Sequence, residues 1–513
     1  MKKTALLLII LTIVSKFIGF GRELTLSYFY GTSDTSDAYL ISLIIPTVIF
    51  AFIGSAISTG YIPMYNLIEK KQGSKQAYAY TNNLMSILLI ASSVIIILGL
   101  LFTEQIVRVF ASGFEGETLN LAIKFTKVSL FGIYFTSLVY LMKSFLEIKG
   151  NYAVPALIGL PMNFVIIVSI IISSKGSTII LAIGLLLGMF AQFVYLIPSV
   201  MKKGLRFKIV LDFNDPHIKK MFLLVLPVLL GVAVNDINKI VDKTLASQIT
   251  SGGISALTYA NTLNNVVIGI FALSISTAMY PLISKMAVEG NMTELKKSVS
   301  EAIGVISLLI IPVTVGIMIF AEPIIRLLFG RGAFDVDSII MTSSVLFFYS
   351  LGMLGVGLRE VLSRPFYAMQ DTITPMINAT IGVVINIILN ILLSRYMGLA
   401  GLALATSIAA FVTSGLLFIS LRKKVGSLGI KKISKTCLKI LFAALLMGLL
   451  SKTLFFYLNN IFSQNLSLVI TIIIGVATYF IIIYFMKIDD VDIIVRTIKR
   501  KLGKTDNSIK NNV

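Results

Sequence analysis

The chain has 513 residues, 57% of them hydrophobic and only 13% charged, with a mean hydropathy of +0.93. Soluble domains carry about a quarter charged residues, and apolar runs recur here from end to end. This excludes a soluble protein with one anchor and defines a polytopic membrane protein. The net charge of +20 reads as basic cytoplasmic loops rather than as a nucleic-acid surface.

The N-terminus "MKKTALLLIILTIV" imitates a secretory signal, but "SKFIGFGREL" follows without a small-x-small cleavage site, so we read it as a retained first helix. Taking about 20 apolar residues per crossing, fourteen spans are predicted: 5–30, 38–66, 80–102, 119–148, 153–173, 178–200, 218–248, 255–285, 299–320, 338–369, 374–395, 399–422, 433–458 and 463–487. Span 1 carries Lys16, Arg22 and Glu23. Lys16 lies about 17 Å along the helix from Ala5, near the bilayer midplane. Lys16 and Glu23 share a face, and Arg22 points about 100° away. Charges in a membrane need partners or water. Two readings stay open: internal pairs that lock packing, or a wet cavity wall offering cations to an anionic substrate.

Span 2 ends in "SAISTGYIPMY" (Ser55–Tyr65), which recurs in span 8 as "LSISTAMYPLI" (Leu273–Ile283). Pro63 maps to Pro281 and Arg108 to Arg326 at a shift of 218; Pro155 maps to Pro375 at 220. Spans 1–6 and 7–12 are therefore two copies of one unit. An even span number inserts both copies in the same orientation, the parallel-repeat plan of transporters with a central site.

Span 7 repeats the charge of span 1 in "VNDINKIVDKTLAS", with Asp236, Lys239 and Lys243 on one face and Asp242 beside them. Span 10 carries Arg359, Glu360 and Arg364, where an arginine snorkels to lipid, binds a headgroup or closes a gate. Spans 11 and 12 add Asn386, Asn390 and Thr406. Carboxylate, amide and hydroxyl oxygens suit a sodium ion, while interhelical hydrogen bonding explains the same residues without one. His217 sits in a charged loop and Cys437 in a helical segment; alone of their kinds, they make neither a zinc site nor an internal disulfide. No GxxxxGK[ST] loop and no catalytic constellation occur, so a transporter rather than an enzyme is expected.

Loop charge tests the span count. The even-numbered connections and both termini hold about 29 Lys and Arg, the odd-numbered connections about 5. That asymmetry places both termini in the cytoplasm. The expected domains are an N-lobe over 1–210, a C-lobe over 211–425, a helix pair over 426–490 and a cytoplasmic tail over 491–513, whose "KIDDVDIIVRTIKRKLGK" reads as an interfacial helix or a solvated tail.

"SKFIGFGRELTLSYFYGTSDTSDAYLIS", "ALTYANTLNNVVIGIFALSISTAMYPLIS", "RGAFD", "FYAMQDTITP" and "GLALATS" together resemble the MurJ (MviN) family of lipid II flippases, in the multidrug/oligosaccharidyl-lipid/polysaccharide exporter superfamily. The resemblance runs over nearly the whole chain. It implies an all-α fold of fourteen helices, two six-helix lobes and a terminal pair. It also implies a multi-pass protein of the bacterial cell membrane that moves undecaprenyl-diphosphate-linked peptidoglycan precursor from the inner to the outer leaflet. By the same resemblance Lys16, Arg22, Glu23 and Asp37 match the family's charged substrate positions. Arg364 joins them here as a candidate contact. Some members carry a sodium site, matched by Asp242 (or Asp236), Asn386, Asn390 and Thr406. The partners implied are lipid II or a similar polyprenyl-diphosphate glycan and membrane lipids, with no nucleic acid and a monomeric chain. Two departures stand out: Phe50 and Ala51, and Thr262, occupy positions where many members have arginine. Either other cations, Lys239 or Arg359, substitute, or the cargo differs. The alternatives are another lipid-linked glycan or cation-coupled drug efflux.

Overall fold

Inside hydrocarbon a backbone must satisfy its own polar groups, so apolar runs of this length become helices or a closed barrel. The computed structural model describes residues 2–486, and this stretch is all-α, with no strand among the described residues. The side chains of 2–10, 12, 50–53, 56, 58 and 224–235 also lie outside the described set, and with them fall Phe50, Ala51 and the expected tail over 491–513.

In chain order, α1 (Lys2–Tyr30) is followed by α2 (Asp34–Ala56), which passes through a π-helical turn (Ile57–Tyr61) into α3 (Ile62–Gln72). Then come α4 (Ser74–Leu101), α5 (Thr103–Phe110), α6 (Gly116–Ser129), α7 (Gly132–Ile148), α8 (Ala153–Ala156), α9 (Gly159–Ser173), α10 (Ile179–Lys202) and α11 (Pro216–Ile249). Next, α12 (Gly253–Ile268) passes through a second π-helical turn (Gly269–Leu273) into α13 (Ser274–Val288). The chain closes with α14 (Met292–Leu328), α15 (Val336–Ala368), α16 (Ile373–Met397), α17 (Leu399–Val425), α18 (Ile430–Leu458) and α19 (Gln464–Phe485).

Every predicted span falls on helix. Ten described helices are long and apolar enough to cross a membrane, eleven if the pair α6–α7, bent by 46°, is one crossing. The predicted spans over 5–30, 38–66 and 218–248 are not among them and contain residues with undescribed side chains.

Two compact units emerge. The first holds Met1–Tyr259, Leu328–Thr342 and Ile387–Leu402; the second holds Ala260–Leu327, Ser343–Asn386 and Ala403–Val513. The first is cored by Tyr61, Tyr65, Leu141, Phe145 and Leu196, all fully or almost fully buried. The second is cored by Ile306, Ile310, Met353 and Phe366, with a further cluster where Leu308 meets Ala443, Ala444 and Tyr479.

The internal repeat reaches down to single dihedral angles. Phe102, between α4 and α5, leaves helical geometry at φ −108°, ψ 25°. Phe320, 218 residues on, does so at φ −113°, ψ 23°. Past each break an arginine pairs with the glutamate one turn earlier: Arg108 with Glu104 at 2.9 Å, Arg326 with Glu322 at 2.8 Å. At a shift of 220, Gly150 (φ 72°) corresponds to Gln370 (φ 60°). Asn151 and Asp371 follow, each accepting a backbone N–H three residues on, from Val154 and Thr374.

Candidate functional site

The charges predicted for spans 1 and 7 gather in the first unit. On α1, Glu23 is buried, and Arg22 Nη2 donates to its Oε1 at 2.6 Å. Glu23 Oε2 is buried with no hydrogen-bond partner among the described residues, and so is the Tyr39 hydroxyl on α2. Lys16, two helical turns earlier, is exposed.

Asp37, in the first turn of α2, is 1% exposed. Its carboxylate accepts the backbone N–H of Ser255 at 2.7 Å and of Ile254 at 3.4 Å. These belong to the first turn of α12, whose N–H groups have no intrahelical acceptors. A carboxylate from another helix thus caps α12, favoured by the positive end of its dipole.

Lys243 on α11 completes the cluster. Its ammonium donates to Thr258 Oγ1 at 2.6 Å and to the Ile254 carbonyl at 3.3 Å. It also interacts electrostatically with Asp242, Asp37 and Glu23. Two cations and three carboxylates therefore share one polar interior within apolar spans. Such a group is stable only with partners or water, and its unmet atoms are available to a polar ligand.

The sequence singled out Lys243 only as a member of a face with Asp236 and Lys239. Those two pair with each other at 2.8 Å, and Lys239 is largely exposed, whereas Lys243 turns toward α12. The signal was present in the charge pattern; the contact that gives Lys243 its importance was not.

The four residues matched to a sodium site form two pairs. Asn390 Nδ2 donates to Asp242 Oδ1 at 2.6 Å within the first unit. Asn386 Nδ2 donates to Thr406 Oγ1 at 3.4 Å within the second. Asp236, the alternative on α11, is occupied by Lys239.

Arg364 belongs to the second unit. It donates to Ser276 Oγ at 3.3 Å, lies 5.6 Å from the Tyr280 ring centroid and 4.0 Å from Glu360. Thr262 is half-buried in the same unit. That unit also holds an apolar cavity of about 320 Å³ lined by Leu308, Pro312, Phe320, Met447, Tyr479 and Phe480 among others.

At one end of the first unit the loops are bonded to one another. Ala333 N–H donates to the Tyr28 carbonyl at 2.8 Å, and the Thr32 and Ser338 hydroxyls meet at 2.6 Å. Ser251 donates to Asp34, and Gly113 N–H to Ser247 Oγ at 3.0 Å. Gly332 (φ +65°) packs so closely on the Tyr28 carbonyl that any Cβ would overlap it.

Among the described residues, an all-α membrane fold with an internal repeat and buried charge inside its spans has the architecture of a transporter. The profile of the family described as "Lipid II flippase MurJ" matches residues 26–477. A protein of Buchnera aphidicola subsp. Baizongia pistaciae, named probable lipid II flippase MurJ, is 30% identical over 471 residues, covering 90% of this chain and 91% of its own. The protein of that name from Rickettsia prowazekii is 28% identical over 505 residues, covering 96% and 98%. A solved structure described as lipid II flippase MurJ in the inward closed conformation superimposes with a TM-score of 0.82 at 29% identity, over 94% of this chain and 99% of its own. An inward-facing multidrug resistance MATE transporter shares the fold at 17% identity and a TM-score of 0.71, over 81% and 95%. The chain belongs to the MurJ lipid II flippase family.

Proposed function

We propose that this protein is a lipid II flippase of the bacterial cell membrane, carrying the diphosphate-linked headgroup from the inner to the outer leaflet by alternating access. The observation that carries this reading is the charged interior of the first unit, where Arg22 and Lys243 stand among Glu23, Asp37 and Asp242. A diphosphate needs cations in a polar interior, and membrane helices hold such charge only where it is used or paired. Lys16 and Arg22 contact the diphosphate, Glu23 and Asp37 orient the cations, and the prenyl tail stays in lipid. Arg364 assists at the cytoplasmic side. The fourteen-span plan with both termini inside follows from the loop charge, and the protein works as a monomer.

A coupling sodium ion is assigned to the Asp242–Asn390 pair. The Asp242 carboxylate is the kind of ligand a hard cation takes; the Asn390 amide turns its nitrogen to that carboxylate at 2.6 Å, and would have to present its oxygen instead to ligate the ion. Binding of a cation there changes the charge next to Lys243 and so its hold on an anion. Asp242→Asn removes the ion's countercharge, and sodium-dependent stabilisation of the purified protein should vanish with it.

The test of the substrate assignment is growth. Replacing Lys16 with Ala, or Arg22 and Glu23 together with Gln, should abolish complementation of a flippase-depleted strain while protein levels hold. Normal growth of both variants would overturn the substrate role of span 1.

A further inference from the structure

The connection between α10 and α11 is not a loose linker. Residues 206–213 lie along α4, held by three side chains of that helix. Asn82 Nδ2 donates to the Arg206 carbonyl at 3.0 Å, and Asn82 Oδ1 accepts Lys208 N–H at 3.3 Å. Ser86 Oγ accepts Val210 N–H at 3.3 Å. Asn83 accepts Asp212 N–H and donates to the Asp212 carbonyl, both at 2.8 Å. The ends are fixed as well: Leu205 before the segment, and Ile218 and Met221 after it, are buried in the core of the first unit.

The backbone of Arg206, Lys208, Val210 and Asp212 faces α4 at every second residue, the alternation of an extended chain, and a turn follows at Phe213. The odd positions are Phe207, Ile209, Leu211 and Phe213, which are 42%, 96%, 49% and 56% exposed. Four large apolar side chains in a row, on a segment that cannot swing away, need an apolar neighbour.

We infer that residues 207–213 form a membrane anchor, with Phe207, Ile209, Leu211 and Phe213 inserted into the boundary region of the bilayer. Three observations favour lipid over a protein partner. The segment is bound to α4 where that helix enters its apolar stretch, and the next outward residues of α4, Leu89, Ile90, Val94 and Ile97, are themselves exposed as on a lipid-facing wall. Lys202, Lys203, Arg206 and Lys208 are exposed around the apolar row, the arrangement that holds an interfacial segment against anionic headgroups. The same basic residues mark this end of α10 as the cytoplasmic end. The anchor therefore sits on the inner leaflet, in the connection between the two sequence repeats. It does not depend on which lipid the protein carries.

The test uses the full chain with Cys437→Ser, carrying either Ile209→Cys or Lys208→Cys, each labelled with an environment-sensitive fluorophore. Both positions are exposed, so labelling leaves the core intact. The protein is reconstituted into phosphatidylglycerol–phosphatidylethanolamine vesicles, with and without brominated acyl chains. At 209 the emission should shift to the blue and lose about half its intensity to brominated lipid, with little change at 208. A probe at 209 that emits as in water and is quenched by aqueous iodide instead overturns the anchor. So does equal quenching at 208 and 209, and so does a shift that appears only when protein density in the membrane is raised, which would mark a contact between copies.

Discussion

Arg22 and Glu23 are neighbours in the chain and partners in space, which creates a problem for any single substitution. Arg22→Ala leaves a 5%-exposed carboxylate without its countercharge, and breaking a buried pair costs about 3–5 kcal/mol. Loss of growth could then follow from loss of fold. Arg22→Gln together with Glu23→Gln removes both charges and keeps both shapes. We expect this double variant to retain its protein level and melting temperature and still fail to complement; complementation would mean that Arg22 serves only to hold Glu23. Lys243→Gln should fail in the same way, since it withdraws the cation that Glu23, Asp37 and Asp242 share. At this scale the sequence revealed which residues carry charge but not whom they meet. Helical spacing put Lys243 with Asp236 and Lys239, because spacing describes one helix. Its actual neighbours Thr258 and Ile254 lie on the next helix, and Asp37 on a distant one.

The helix-to-helix connections carry the next set of consequences. Between α15 and α16, the Lys424 ammonium, 2.5 Å away, and then the Thr374 N–H hold the Asp371 carboxyl down at about 2. A free Asp titrates near 3.9. A depressed folded-state value means stability that is complete above about pH 4 and lost as pH falls toward 2. Asp371→Asn should therefore lower the melting temperature at pH 6, with the gap from the parent protein narrowing as the pH approaches 2. At the tied end of the first unit, Thr32 and Ser338 hydroxyls 2.6 Å apart place their Cβ atoms near disulfide range. Thr32→Cys with Ser338→Cys, in a Cys437→Ser background, should cross-link on oxidation and stop transport, with recovery on reduction. Transport that continues through full cross-linking would show that this end need not open. Helix existence was legible because apolar length dictates it. The paired breaks at Phe102 and Phe320 were not, since neither phenylalanine differs in kind from its neighbours; only the Arg108–Arg326 correspondence hinted that the geometry repeats there.

At the scale of the whole molecule, composition, loop charge and the internal repeat define a membrane transporter, and the family match over residues 26–477 agrees. The compact units do not follow the chain's division into repeats: α11 groups with the first unit, where Lys243, Asp242 and Thr244 are bonded. Repeat boundaries are written in sequence, whereas compactness depends on contacts made in one conformation. All of these features serve movement of a diphosphate-linked lipid across the bilayer. The direct measurement is leaflet accessibility of lipid II in cells depleted of this protein, with redundant flippases removed. Outward-exposed lipid II should fall on depletion and return with the parent chain but not with the Arg22→Gln, Glu23→Gln variant. Unchanged outward exposure on depletion would contradict this function.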